Sequence, residues 1–327
     1  MLAIGNRMWV MGLSVSFWCL LVVGWCIGEP AASQTGSLPL LEQRLDISYS
    51  GESPRQKLDL FRPEGKEKLP IVLFVHGGGW FMGDKDFFGV HRNVAKSIAR
   101  RGYVVVATNY RLSPEVKHPV HVEDVSKALA WIFANPTVHG GDTTRVNLLG
   151  HSAGAHLVTL LATDSGLWDK PGGPKPADFS SICGVVGLCG VYQIPAGNQY
   201  ISLAQQAGLS QQISGITGPD GKAFNPFKIA FGEEEVICRK ASPITHVRKG
   251  LPPFLLLVAE RDLPGLGYMA EKFEGSLIKC GNSCKNLTIP ETTHVSLLSE
   301  LNRPRSATAL EVGRFLEEVS QSKSSKP

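Results

Sequence analysis

The sequence predicts an α/β domain built on a mostly parallel central sheet with helices on both faces. Three observations carry that expectation. Short, almost wholly apolar runs recur along the chain, the mark of strands buried on both faces. Segments with helical periodicity separate them. One string, Gly150-His151-Ser152-Ala153-Gly154, stands where such a run passes into a helical segment.

Each element has its own local reason. Arg44–Tyr49 and Gln56–Phe61 alternate polar and apolar residues, and the turn-forming Ser50–Arg55 between them predicts a hairpin. Pro70–Val75 and Tyr103–Thr108 are buried strands, separated by a helix within Asp86–Arg101. Val122–Phe133 puts Val122, Val125, Leu129 and Ile132 on one helical face. Val146–Leu149 is the strand before the serine string, and Ser152–Ala162 is a helix of small residues able to pack closely on a sheet. Ile182–Val191 and Pro253–Val258 are further strands. A helix near Gly267–Lys279, a short strand Asn286–Ile289 and a closing helix Ala307–Ser320 complete the pattern. The interval from about 192 to 247 breaks the rhythm. It is rich in Gln, Gly, Ser and Pro, and reads as a cap over the carboxyl edge of the sheet, where ligands bind in open α/β folds.

Arg7 precedes an uncharged apolar stretch from Met8 to Ile27, and Ala31-x-Ser33 fits a small-residue cleavage site. Residues 1–33 therefore read as an export signal, with a periplasmic or extracellular destination. An uncleaved membrane anchor is the alternative, since roughly 20 apolar residues span a bilayer. Residues 34–43 read as a linker, 44–320 as the folded domain and 321–327 as a disordered tail. The net charge of +4 is scattered among both signs, which gives nucleic-acid binding no support. Cys280 and Cys284 flank a Gly-Asn-Ser turn and form the candidate disulfide, permitted in an exported protein. Cys183 and Cys189 read as small core residues. No Cys/His spacing suggests a metal site, and no cofactor is implied.

The chemistry is concentrated in two glycine-rich strings. A serine hydroxyl needs a base to take its proton and a position clear of the sheet. The glycines around Ser152 allow a tight strand-to-helix turn with the serine at its corner. The helix that follows directs its N–H groups and positive end at the same point. His76-Gly77-Gly78-Gly79-Trp80 ends an earlier buried strand. The N–H groups of Gly78 and Gly79, with that of Ala153, are placed to hold an oxyanion, each worth about 3 kcal/mol in the transition state. Trp80 and Phe81 follow directly and are candidates for shaping a substrate pocket.

HGGGW together with GHSAG resembles the α/β-hydrolase superfamily, and within it the esterase and lipase branch with a His-Gly-Gly-Gly oxyanion loop. That branch includes hormone-sensitive-lipase-like and feruloyl/acetyl-esterase-like enzymes. The likeness runs from about Leu45 to Leu316, with support from Asn109-Tyr110-Arg111-Leu112-Ser113-Pro114 and Ala241-Ser242-Pro243. It does not reach residues 195–222.

The resemblance implies a triad in the order Ser, acid, His. Of the nine histidines, His246 and His294 lie beyond the serine helix. The resemblance puts the base at His294, after the last short strand. His246 reads as a packing residue, His156 as structural and His76 as a brace for the oxyanion loop. His118 and His121 have no third ligand. Glu260 and Asp262 both follow the Pro253–Val258 strand, and the resemblance favours Asp262. Asp124 reads as a buried structural carboxylate. The expected activity is hydrolysis of small or glycan-linked carboxylic esters. An amide hydrolase such as a formamidase or peptidase, and a non-catalytic binding protein of this fold, are the alternatives.

Overall fold

The computed structural model describes residues 38–197 and 225–324. The expected export signal at residues 1–33 and residues 198–224 of the expected cap lie outside the described residues.

The described chain forms an eight-stranded sheet in the order β1-β2-β4-β3-β5-β6-β7-β8. The strands are β1 (Leu41–Ser48), β2 (Lys57–Pro63), β3 (Leu69–Val75), β4 (Val104–Thr108), β5 (Gly141–His151), β6 (Ile182–Leu188), β7 (Phe254–Arg261) and β8 (Cys284–Thr293). β1 and β2 form the expected antiparallel hairpin, and β2 joins β4 antiparallel. All pairings from β4 through β3, β5, β6 and β7 to β8 are parallel. The central strands are buried from end to end: Ile71–Val75, Val104–Ala107 and Phe254–Leu257 lie in one core. Continuous apolar runs were the right signal because helices cover both faces.

The helices are α1 (Val90–Ala99), α2 (Val120–Ala134), α3 (Pro136–His139), α4 (Ala153–Thr163), α5 (Pro226–Phe231), α6 (Glu235–Lys240), α7 (Leu266–Lys279), α8 (Ser296–Ser299) and α9 (Ala307–Ser324). On β5, Asn147 bonds to Ser320 of α9, while Gly150 abuts the backbone of α4. Three residues apart on a strand, they face opposite sides, so α9 and α4 cover opposite faces. Val122, Val125, Leu129 and Ile132 of α2 are all fully buried, as their spacing predicts.

Several boundaries differ from the sequence reading. β1 begins at Leu41, inside the presumed linker, because Leu41 and Glu42 pair with Pro63 and Arg62. β5 starts at Gly141 through backbone pairing with Leu69, which needs no apolar side chains. β8 is an edge strand of mixed burial, so its length left no apolar run to read. α9 continues through Ser324, where a disordered tail was expected from Gln321.

The cysteine pairing is corrected as well. All five described cysteines are free, Cys280 and Cys284 among them. The turn between those two serves another purpose. Asn282 accepts from the Leu251 N–H and donates to the Arg248 carbonyl, pinning the turn to the segment before β7. Cys284 joins the β7–β8 ladder opposite Phe254.

In the interval expected to be a cap, the described residues from Pro226 to His246 are mostly short helices. The two ends of the interval are tied together: Ser242 Oγ accepts from the Ile194 N–H, and the Ile244 N–H donates to the Tyr192 carbonyl. Phe227 and Phe231 of α5 pack on Trp80, at ring separations of 5.6 and 4.9 Å. Among the described residues no helix is long and apolar enough to cross a membrane.

Candidate active site

Parallel register brings the carboxyl ends of the central strands together. Val75 pairs with Gly150, and Gly150 pairs with Gly187. The two glycine-rich strings are therefore neighbours at one edge of the sheet.

Ser152 occupies the corner between β5 and α4 with φ 54° and ψ −119°. A non-glycine residue there stores strain of about 1–3 kcal/mol, held in place by the surrounding backbone. The Ser152 N–H donates to the Leu188 carbonyl at 2.8 Å, and its own carbonyl accepts from His156. The flanking glycines have steric reasons. A Cβ on Gly150 would lie 2.3 Å from the Gly154 carbonyl oxygen, and one on Gly154 would lie 2.1 Å from that of Val75. Both contacts are backbone to backbone and leave no room for a side chain.

The loop after β3 turns back on itself. The Phe81 and Met82 N–H groups both donate to the Gly78 carbonyl, and Gly78, Gly79 and Trp80 all have positive φ. A Cβ on Gly78 would sit 2.1 Å from the Met82 carbonyl oxygen. A Cβ on Gly77 would come within 3.1 Å of Ser152 Cβ, so this loop presses directly on the elbow. His76 braces it as expected. Its Nδ1 donates to the Gly77 carbonyl at 2.7 Å, Tyr110 donates to its carbonyl, and the two rings stack at 4.5 Å. Burial, with a contribution from nearby His91, pushes the His76 pKa down to about 3, so the brace is neutral.

Trp80 is 2% exposed and belongs to the core. Its Nε1 donates to His156 Nδ1 at 3.2 Å, and His156 Nε2 donates to the Ala241 carbonyl at 2.7 Å. The apolar ring is buried against α5, so this relay ties the glycine loop after β3, α4 and the segment after α6 into one unit. Phe81 is half-buried beside Gly79.

Asp262 and His294 form a close pair. His294 Nδ1 lies 2.6 Å from Asp262 Oδ1. The carboxylate also accepts from the N–H groups of Ala259 and Leu263. Burial would raise the Asp262 pKa, but the hydrogen bond and charge of His294, with help from Cys189 and the Leu263 N–H, hold it below the ordinary value. Glu260, the other positional candidate, is exposed and accepts from the Glu291 N–H. His246 bonds to the Lys240 carbonyl, and His121 faces Ser113. Asp124 is fully buried and holds Gln56 and Arg111, the structural carboxylate expected.

His151, the residue before Ser152, links the end of β5 to the His294 loop. His151 Nε2 donates to the His294 carbonyl at 2.8 Å, and the two rings lie 4.9 Å apart. In this structure no hydrogen bond joins Ser152 Oγ to His294 Nε2.

Two residues carry more than the sequence reading gave them. His151 was only the variable member of the serine string. Cys189, read as a small core residue, lies just past the carboxyl end of β6 with φ 50°, beside the Asp262 carboxylate. Its position just past a central strand was the one available signal. His151, Cys189 and His294 offer ligand atoms within 4.8 Å of one another. The arrangement suits a metal poorly. Burial and the Asp262 charge push the Cys189 thiol pKa well up, away from the thiolate a metal would bind.

Comparison with known proteins agrees with this architecture. The BD-FAE family model matches residues 58–264. The esterase LipC of Mycobacterium tuberculosis is 28% identical over 219 residues, covering 65% of this chain and 49% of LipC. The probable isoprenylcysteine α-carbonyl methylesterase of Oryza sativa is 27% identical over 248 residues, covering 76% of this chain and 57% of that protein. The chain thus spans about half the length of these curated relatives. Among solved structures, an inhibited esterase B from Lactobacillus rhamnosis superposes with a TM-score of 0.69 at 23% identity, over 86% of this chain and 88% of the other. The fold is that of the α/β-hydrolases.

Proposed function

Because the chain belongs to the BD-FAE family, we propose that it is a serine hydrolase of carboxylic esters working through an acyl-enzyme. Ser152 attacks the ester carbonyl while His294 Nε2 takes its proton. Asp262 holds the opposite nitrogen of the imidazole, fixing the tautomer and stabilising the imidazolium. The N–H groups of Gly78, Gly79 and Ala153 receive the developing oxyanion. His294 returns the proton to the leaving alcohol, and water then resolves the acyl-enzyme by the same route.

The observation that carries this reading is the 2.6 Å pairing of Asp262 with His294, on a loop bonded to the residue next to Ser152. The names of the relatives, an esterase and a methylesterase, favour esters over amides. The leader at residues 1–33 supports an exported enzyme, with small or glycan-linked esters outside the cytoplasm as substrates.

A panel of p-nitrophenyl esters of graded acyl length, an acetylated glycan and a matched aryl formanilide tests the proposal. The ester rates should exceed the formanilide rate, and Ser152→Ala should lower kcat by at least about 10⁴-fold with an unchanged melting temperature. Ester turnover retained in that variant would overturn the reading.

A further inference from the structure

The residue before the nucleophile is given no part in the proposed reaction, yet it sits at the meeting point of every working segment. His151 ends β5. Its ring lies 4.9 Å from that of His294, and its Nε2 donates to the His294 main-chain carbonyl at 2.8 Å. On the other side is the oxyanion loop. A Cβ on Gly77 would fall 2.8 Å from His151 Nδ1 and 2.9 Å from its carbonyl oxygen. The ring is therefore wedged between the base-bearing loop and the oxyanion loop, and its backbone is continuous with Ser152.

We infer that His151 is a positioning residue, which sets the distance between Ser152 and His294 by gripping the main-chain carbonyl of the base. This rests on the assignment of Ser152 and His294 as nucleophile and base.

Two observations support a directional role over simple filling of space. His151 Nδ1 is buried without a partner. An unsatisfied buried nitrogen is a cost, and a purely structural site would be served as well by an apolar ring. The retained bond is the one made by Nε2. The second observation is charge. Burial, and then the neighbouring His294, drive the His151 pKa down to about 3. His151 thus stays neutral, so it holds the carbonyl without opposing the positive charge that His294 gains as it takes the serine proton. The His294 Nδ1 is held by Asp262, just past β7, and among the described residues His151 is the side chain that hydrogen-bonds the His294 loop to the elbow.

A Gln and Asn pair separates positioning from packing. The amide nitrogen of Gln reaches where Nε2 of histidine lies, whereas that of Asn reaches only the Nδ1 position. Both variants are made in the full chain, and kcat and KM are measured on p-nitrophenyl butyrate beside Ser152→Ala. His151→Gln should lose no more than about threefold in kcat. His151→Asn should lose about 30- to 100-fold, the order expected when a catalytic group is displaced by about 1 Å. KM should stay within about twofold in both. Equal kcat in the two variants, whether both high or both low, would overturn the inference, as would a loss expressed in KM alone. Melting temperatures identify a variant that has lost its fold. If Ser152→Ala keeps its activity, the nucleophile assignment fails first; if it is inactive and Asn equals Gln, only the role of His151 fails.

Discussion

The two halves of the site are built on different principles. The side that carries Ser152, Gly78 and Gly79 is fixed by backbone. Ser152, Gly78, Gly79 and Trp80 are held at positive φ, and Gly150 and Gly154 touch neighbouring main chain with no room for a Cβ. The side that carries Asp262 and His294 is fixed by side chains. Asp262 and His294 are 32 residues apart in sequence, and one hydrogen bond of 2.6 Å joins them. The first half is rigid because its geometry is over-determined by packing. The second owes its alignment to a few polar contacts: the Ala259 and Leu263 N–H groups, the Cys189 thiol and the His151 clamp.

The contrast predicts different failures. On the side-chain half, Asp262→Asn should lower kcat by about 10⁴-fold, because the amide favours the wrong imidazole tautomer. Glu260→Gln, two residues away but pointing to the Glu291 N–H, should change kcat by less than about threefold. Steady-state kinetics on one aryl ester reads both, and equal losses would break the assignment of the acid. On the backbone half, Gly78→Ala should lower kcat by about 10²- to 10³-fold, the scale of one lost oxyanion donor. A Cβ there meets the Met82 carbonyl at 2.1 Å at a φ of 113°, so the loop has to move. Unaltered kcat would show that this loop does not bear on the reaction.

The same contrast explains what was legible in the sequence. Backbone constraints leave a trace, because only glycine satisfies them; GHSAG and HGGGW announced the elbow and the loop. Side-chain constraints leave little. Glu260 and Asp262 were equal by position, and only the resemblance separated them. The structure separates them physically, since one carboxylate turns into the protein and the other to solvent. The relay from Trp80 through His156 to Ala241 was not legible, because it exists only in three dimensions. Strands were clear where both faces are buried, and β8 was shortened because an edge strand carries no continuous apolar run. The Cys280–Cys284 pairing failed because spacing alone does not say whether a turn is already used, here by Asn282.

A smaller effect concerns acid stability. Burial, the largest influence on each, pushes His76, His151 and His156 down to about 3, against an ordinary value of about 6.5. These groups stay neutral in the folded chain and gain protons when it unfolds. Their effect is absent above pH 6.5, and stability falls progressively as pH drops from 6.5 towards 3. Each contributes a slope of up to about 1.4 kcal/mol per pH unit inside that window. Urea midpoints should therefore be flat between pH 7 and 8 and decline steadily below 6.5. Since these histidines brace the oxyanion loop and the elbow, a flat profile down to pH 4 would contradict their burial as neutral rings.

The most direct measurement is covalent labelling of the full chain with a fluorophosphonate, followed by peptide mapping. Ser152 takes up one equivalent of label if it is the activated nucleophile, and His294→Ala slows that uptake by orders of magnitude. Ester hydrolysis with no adduct on Ser152, or with the label on another residue, would contradict the account.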